Sequence, residues 1–341
     1  MQAVETKPKT THDTDTDLMR IIASFFVVLI HASSSLADGI SVWYNAISRF
    51  SVPVFVLISG YYLLRRAPSG TRMVRRIFSL VGMHIIWSAL YFVFYRLMGD
   101  IPSGDLADVL TYLLTQPTHL WYLYALAGLW ILLPGLQVFA RHASEREYRY
   151  ALWVTGILGT VVTLGVRSNW LSTFSVIVER TKLPYAMGFV FLFLMGGYLY
   201  RFPAKRVGLW YGTGMLGLIT TVVSACLLPR DMAVSLALSF YAPGTVLFAV
   251  AFFIWIKRMY AERALEWRRV SPHLRAMAAA SGGVYLLHPM ILRLYDQWIA
   301  PLFSEGMAWL SVPLGAIWAF SISMVSVMLA RKIPFVKRVL L

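Results

Sequence analysis

The chain of 341 residues is poor in charge, in carboxylates and in cysteine. Charged residues make up only 14% of it, against about a quarter in an ordinary globular chain. Its one cysteine, Cys226, excludes an intrachain disulfide and a cysteine-based metal cluster. No two histidines stand four residues apart, and few carboxylates fall in apolar stretches, so no metal site is expected. The paired internal repeats that build many transporters are also missing. Apolar residues, by contrast, supply 58% of the chain. A soluble fold has no interior large enough to hide them, so the bilayer must serve as part of the solvent.

The reading is therefore all-α: a polytopic integral membrane protein of about ten spanning helices. Spans are expected near 18–38, 50–64, 77–98, 119–139, 149–166, 183–200, 208–228, 236–256, 276–298 and 307–330. The second is short, tilted or re-entrant. Residues 1–17, rich in Thr and Asp, read as a disordered cytoplasmic segment. Residues 18–330 form the membrane domain, and 331–341 a basic cytoplasmic tail. The first apolar run has full spanning length and no small-residue cleavage pattern behind it, so it reads as a retained helix rather than a signal peptide.

A net charge of +15 invites a nucleic-acid reading, but its placement argues otherwise. With the N-terminus inside, 23 of the 31 Lys and Arg fall in cytoplasmic segments, five fall outside, and Arg20, Arg96 and Arg293 lie within spans. That bias predicts both termini in the cytoplasm. The charge is topological, and no nucleic acid is expected. Trp and Tyr near span ends (Trp43, Tyr44, Trp121, Tyr122, Trp298, Trp309) suit an interfacial belt.

Ionisable residues at membrane depth are costly and mark candidate sites. The first span carries Arg20 near its cytoplasmic end and His31 eleven residues on. Eleven residues are about three helical turns and about 16 Å of rise, so both share one face. Asp17, three residues before Arg20, is placed to orient it. His288 lies in Ser281-Gly-Gly-Val-Tyr285-Leu-Leu-His288-Pro289, where Pro289 leaves the Tyr285 carbonyl without its helical donor. His119 opens the fourth span in His119-Leu-Trp121, and His84 sits in the third. Each of these suits a structural role as well as a chemical one. Arg72, Arg75 and Arg76 share a helical face, which suits phosphate oxygens as well as ordinary positive-inside charge.

In combination, these motifs resemble membrane-bound acyltransferase family three, most closely its surface-polysaccharide O-acyltransferase branch. The resemblance rests on Asp17-x-x-Arg20 with His31, on Ser48-Arg49-Phe-Ser-Val-Pro53 leading to Ser59-Gly60-Tyr61, and on the arginines before the third span. His119-Leu-Trp121 and Ser281-x-x-x-Tyr285-x-x-His288 complete it. It implies transfer of an acyl group, acetyl as the usual case, from cytoplasmic acyl-coenzyme A. The acceptor would be a hydroxyl of a surface polysaccharide or lipid-linked glycan at the outer face of a bacterial inner membrane. His31 would be the base or the transient acyl carrier, with Arg20 on the donor path and Asp17 beside it in the catalytic set. Arg72 with Arg75 or Arg76 would hold the coenzyme's phosphates, while Tyr285, His288, His119, Trp121 and Arg49 would line the acceptor side. Oxyanion donors would come from Arg20, Tyr285 or His288.

Many such relatives carry a soluble periplasmic domain after the last helix. This sequence ends eleven residues past its last span, so acceptor recognition is expected from loops such as 99–118 and 167–182. The main rival is a glycolipid transporter or flippase, which fits ten helices and buried ionisable groups but not the Arg20-to-His31 stripe. A noncatalytic component of a polysaccharide synthase is a third reading, under which His31 would be dispensable.

Overall fold

Long apolar runs leave a backbone in lipid no polar partner but itself, and the chain responds by coiling. The computed structural model describes residues 13–34, 39–101, 106–115, 118–162, 164–165, 183–262, 271–304, 306–334 and 336. Among them it is helical, without a strand. The principal helices are α1 (Thr14–Ala32), α2 (Gly39–Ser48), α3 (Ser51–Leu63), α4 (Gly70–Leu97), α5 (Leu106–Thr115) and α6 (Trp121–His142). They continue with α7 (Glu145–Gly156), α8 (Leu183–Arg201), α9 (Val207–Leu227), α10 (Pro243–Glu262), α11 (Ser271–Trp298) and α12 (Ala308–Ala330).

Every expected span has a helix on it, although the bounds move. The span expected at 149–166 falls on α7 and a following π-helical turn, Ile157–Val162. That at 236–256 begins later, because the chain makes a second π-helical turn, Ala233–Ala237, before α10. Among the described residues six helical stretches are long and apolar enough to cross a membrane: Gly39–Leu63, α4, α6, α9, α10 and α12. Two short helices, α2 and α5, were not anticipated. α1 also starts at Thr14, so the last residues of the expected disordered segment are helical. Thr14, Asp15, Thr16 and Asp17 are all buried. Residues 1–12, loop 167–182 and most of the 331–341 tail lie outside the described residues.

Local signals explain several helix starts. The Ser69 side chain accepts from the Arg72 amide at the head of α4. Ser144 and Glu147 form a reciprocal capping box at the head of α7. α1 stands between two apolar clusters: Met19, Ala23 and Val27 pack with α3, α8 and α10, while Val28 and Leu29 pack with α11 and α12. α4, α6 and α11 meet in a third cluster around Trp87, Tyr91, Leu123 and Leu286. Large apolar side chains face outward, among them Phe78, Trp153 and Leu227, as a lipid-facing surface requires. Cys226 is exposed on α9.

The starts of α1 and α11 meet the ends of α3 and α10 at one end of the bundle. Asp15 pairs with Lys257 at 2.9 Å, Tyr62 donates to Asp13, and Thr14 bonds Ser271 at 2.9 Å. Arg201 ties the end of α8 to that of α6, donating to the Ala140 and Ala143 carbonyls at 2.8 and 2.6 Å, and Tyr200 beside it meets Tyr61 of α3 ring to ring at 5.2 Å. The ends of α3, α6, α8 and α10, which carry Arg65, Arg141, Arg201 and Lys257, therefore share one end of the bundle.

Glycine sets the closest contact between helices. A Cβ on Gly60 would strike the Phe193 carbonyl, and one on Gly196 the Leu57 carbonyl. α3 and α8 thus touch backbone to backbone, the packing that small residues permit in lipid. Gly196→Ala is expected to lower stability by about 1–3 kcal/mol through overpacking. Gly128→Ala, with nothing within 4 Å of the new methyl, should be close to neutral. Thermal unfolding of the two variants in detergent checks the contrast.

Candidate active site

On α1, Arg20, Ser24, Val27 and His31 recur at helical spacing and make one stripe. A cavity of about 80 Å³ opens beside it. Its walls include Ser24 and His31 of α1, Phe55 of α3, His119 and Trp121 at the entrance to α6, and Ser281 and Tyr285 of α11. Trp121 is held between Phe189 and Phe240, with ring centroids 5.8 and 5.6 Å away. The ring expected as a possible membrane-interface anchor therefore forms part of this wall.

Three histidines far apart in sequence converge here. The His31 ring lies 4.9 Å from His288 and 6.2 Å from His119, and those two are 6.1 Å apart. Nδ1 of His288 stands 3.0 Å from the Val284 carbonyl. A proton on that nitrogen makes the bond and leaves Nε2 as the acceptor of a neutral ring. Tyr285 donates to the His119 carbonyl at 2.6 Å, tying α11 to the short 3₁₀ turn Thr118–Leu120. Tyr91 of α4 donates to the Leu286 carbonyl at 2.8 Å, in the turn that Pro289 disturbs, and its ring lies 4.7 Å from His119.

Around this cluster, Ser24 Oγ, His119 Nε2 and His288 Nε2 are buried with no hydrogen-bond partner among the described residues. Buried polar atoms are normally paired. Two of these atoms, on Ser24 and His119, belong to residues of the cavity wall and mark a place where a ligand or water completes the bonding. Among the described residues no carboxylate lines the cavity, and the charges reaching it are cationic: Arg49 acts on His31, and Arg20 on Tyr122. Among the described residues no three His, Cys, Asp or Glu side chains are arranged to hold a metal.

His31 sits in the last turn of α1, and a residue missed in the sequence steadies that turn. Asn45 of α2 donates to the Ile30 carbonyl at 3.0 Å and to Ser33 Oγ at 3.2 Å. Its own carbonyl oxygen accepts from Arg49 Nε at 2.7 Å. Arg49 also lies over the Phe240 ring, 5.0 Å from its centroid. The signal for Asn45 was an amide inside the apolar run Val42–Ile47. Ser24 was equally visible, one turn above Arg20 on the same stripe.

The other expected residues divide by location. Asp17 is buried in the first turn of α1 and Arg20 follows on the stripe, both toward the basic end. Arg72, Arg75 and Arg76 are exposed on the first turns of α4. From Arg76 to Tyr91 the helix rises about 22 Å, so these arginines stand well away from the histidines. His84 is buried against Tyr124, ring to ring at 4.4 Å, outside the cavity wall. Arg293 pairs with Asp100 at 2.7 Å, and its guanidinium holds that exposed carboxyl below the usual carboxylate range.

A family model described as an acyltransferase domain matches residues 13–328. No curated protein and no solved structure shows a significant match.

The chain of bonds from Arg49 through Asn45 to α1 predicts coupling. Asn45→Ala should cost about 1–3 kcal/mol of stability, since it strands a buried polar group. Combined with Arg49→Ala, the loss should fall short of the sum by about 0.5 kcal/mol or more, as linked residues do. A double-mutant cycle on detergent-solubilised protein measures the shortfall.

Proposed function

The chain belongs to acyltransferase family three, and on that premise we propose that it moves an acyl group, typically acetyl, from acyl-coenzyme A to a glycan hydroxyl across the membrane. In this reading the chain spans a bacterial inner membrane about ten times, with both termini and the basic end of the bundle in the cytoplasm. The acceptor is a surface polysaccharide or lipid-linked glycan approaching from the other face. The observation that carries the reading is His31: it stands in the cavity wall beside His288 and His119, on the helical face that leads back to Arg20.

Arg72 with Arg75 or Arg76 takes the coenzyme's phosphates at the cytoplasmic surface, where guanidinium forks match phosphate oxygens. The long thin arm of the donor then covers the distance along α4 to the histidines. A cavity of about 80 Å³ suits a short acyl group at its tip. His31 removes the proton from the acceptor hydroxyl as its oxygen attacks the thioester carbonyl. The new C–O bond forms, the C–S bond breaks, and the proton passes to the departing thiolate. A covalent variant has His31 take the acyl group first and release it to the hydroxyl afterwards; it uses the same residues.

The negative oxygen that develops on the carbonyl needs a donor or a positive charge. The Tyr285 hydroxyl is already committed to the His119 carbonyl. The only imidazole proton of His288 is likewise committed, to the Val284 carbonyl, so Arg49, whose guanidinium is oriented by Asn45, supplies that stabilisation alongside Arg20. Trp121, with its flanking aromatic rings, forms an apolar wall on the acceptor side.

Purified protein in nanodiscs with radiolabelled acetyl-coenzyme A tests the reading. Wild type is expected to bind the donor and slowly release coenzyme A, while folded His31→Ala binds without release. Equal release by both would remove His31 from the chemistry, and no binding by folded wild type would turn the reading toward a transporter or toward an acyl donor other than acetyl. Arg72→Ala combined with Arg76→Ala should raise the donor KM with kcat largely kept, because binding is removed rather than chemistry.

A further inference from the structure

The basic end of the bundle holds a second cavity, of about 260 Å³, well separated in the fold from the histidines. Arg65, Arg141 and Arg201 line it together with Tyr200, Leu64 and Gly197, and among the described residues no carboxylate does. The three arginines come from the ends of α3, α6 and α8, so no local sequence pattern announces them.

Two of the three are held in place. Arg201 donates from Nη1 to the carbonyls of Ala140 and Ala143, leaving its other N–H groups outside those bonds. Arg65 lies against two rings, 4.4 Å from the centroid of Tyr62 and 5.3 Å from that of Tyr200. Behind Gly197, a Cβ would come within 2.5 Å of the Tyr148 hydroxyl. That hydroxyl is buried and has no hydrogen-bond partner among the described residues. Capping a helix end explains Arg201 alone; it does not explain three guanidinium groups about one opening with no acid between them. Like charges gathered without a counter-charge repel one another, and a bound anion removes that penalty.

We propose that this cavity binds a phosphoryl group. Fixed guanidinium forks present parallel N–H donors, the arrangement that matches phosphate oxygens. The group belongs either to the acyl donor, in which case the proposal rests on the acyltransferase reading, or to the headgroup of an anionic phospholipid in the surrounding leaflet.

Full-length wild type and Arg65→Gln/Arg141→Gln in phosphatidylcholine nanodiscs separate the two sources. Arg201 is left intact because it caps α6. One arm measures binding of labelled acetyl-coenzyme A, and the other counts retained phosphatidylglycerol by native mass spectrometry. Loss of two charge-assisted contacts is expected to weaken one of these ligands by about tenfold or more. Weakened coenzyme binding with lipid retention unchanged assigns the donor; the reverse assigns the lipid. If both ligands bind the variant as they bind wild type, or if wild type holds neither, the proposal is overturned. A wild type that ignores acetyl-coenzyme A but retains phosphatidylglycerol, with the variant losing the lipid, fails the acetyl-coenzyme A reading while supporting this one. Should the double variant misfold, Arg141→Glu alone supplies the same readout.

Discussion

The position of α1 is the constraint on which the rest depends, because this one helix carries both Arg20 and His31 and touches both large apolar clusters. It is secured at each end by polar contacts. At its start, Asp15 pairs with Lys257 and Asp13 accepts from Tyr62; at its finish, Asn45 holds the Ile30 carbonyl. Lipid has no means of solvating a slipped carboxylate or a bare carbonyl, so either end resists movement. A helix pinned this way presents its histidine at a fixed height. The histidines of α11 and of the turn before α6 are then placed against it through Tyr285 and Tyr91.

Much of this was visible in the sequence, and the reasons for the gaps are physical. Apolar length predicts helices well in a chain that must satisfy its own backbone, and every expected span lies on one. The stripe from Arg20 to His31 follows from helical geometry alone. The acidic start of α1 was not legible, since a run of Thr and Asp reads by composition as a solvated tail. What orders Thr14–Asp17 is tertiary: Lys257 and Tyr62 stand far along the chain. α2 and α5 are too short for spans and lie beside stretches that dominate a hydropathy reading. The Arg65, Arg141 and Arg201 cluster is wholly non-local, and each member by itself is ordinary positive-inside charge.

The histidine cluster is unusual in its electrostatics. A histidine oriented by a carboxylate is the familiar arrangement, whereas among the described residues the wall here contains no acid. Orientation comes from backbone carbonyls, as for His288 on Val284, and from a cation steadied by an amide, as for Arg49 on Asn45. The cluster is thereby held in place without burying a carboxylate at membrane depth, where one is costly.

The outward-facing thiol of Cys226 has a practical consequence. Because the chain has one cysteine and it sits exposed on α9, a spin label or fluorophore attaches at a single defined point without engineering a cysteine-free background. Gly214 and Gly217 of that helix pack closely on Ala251 and Gly244 of α10, so the label rides on a rigid pair. Its accessibility to paramagnetic quenchers from the lipid or from water converts the vertical placement of the bundle into a measurable depth, with the native sequence intact.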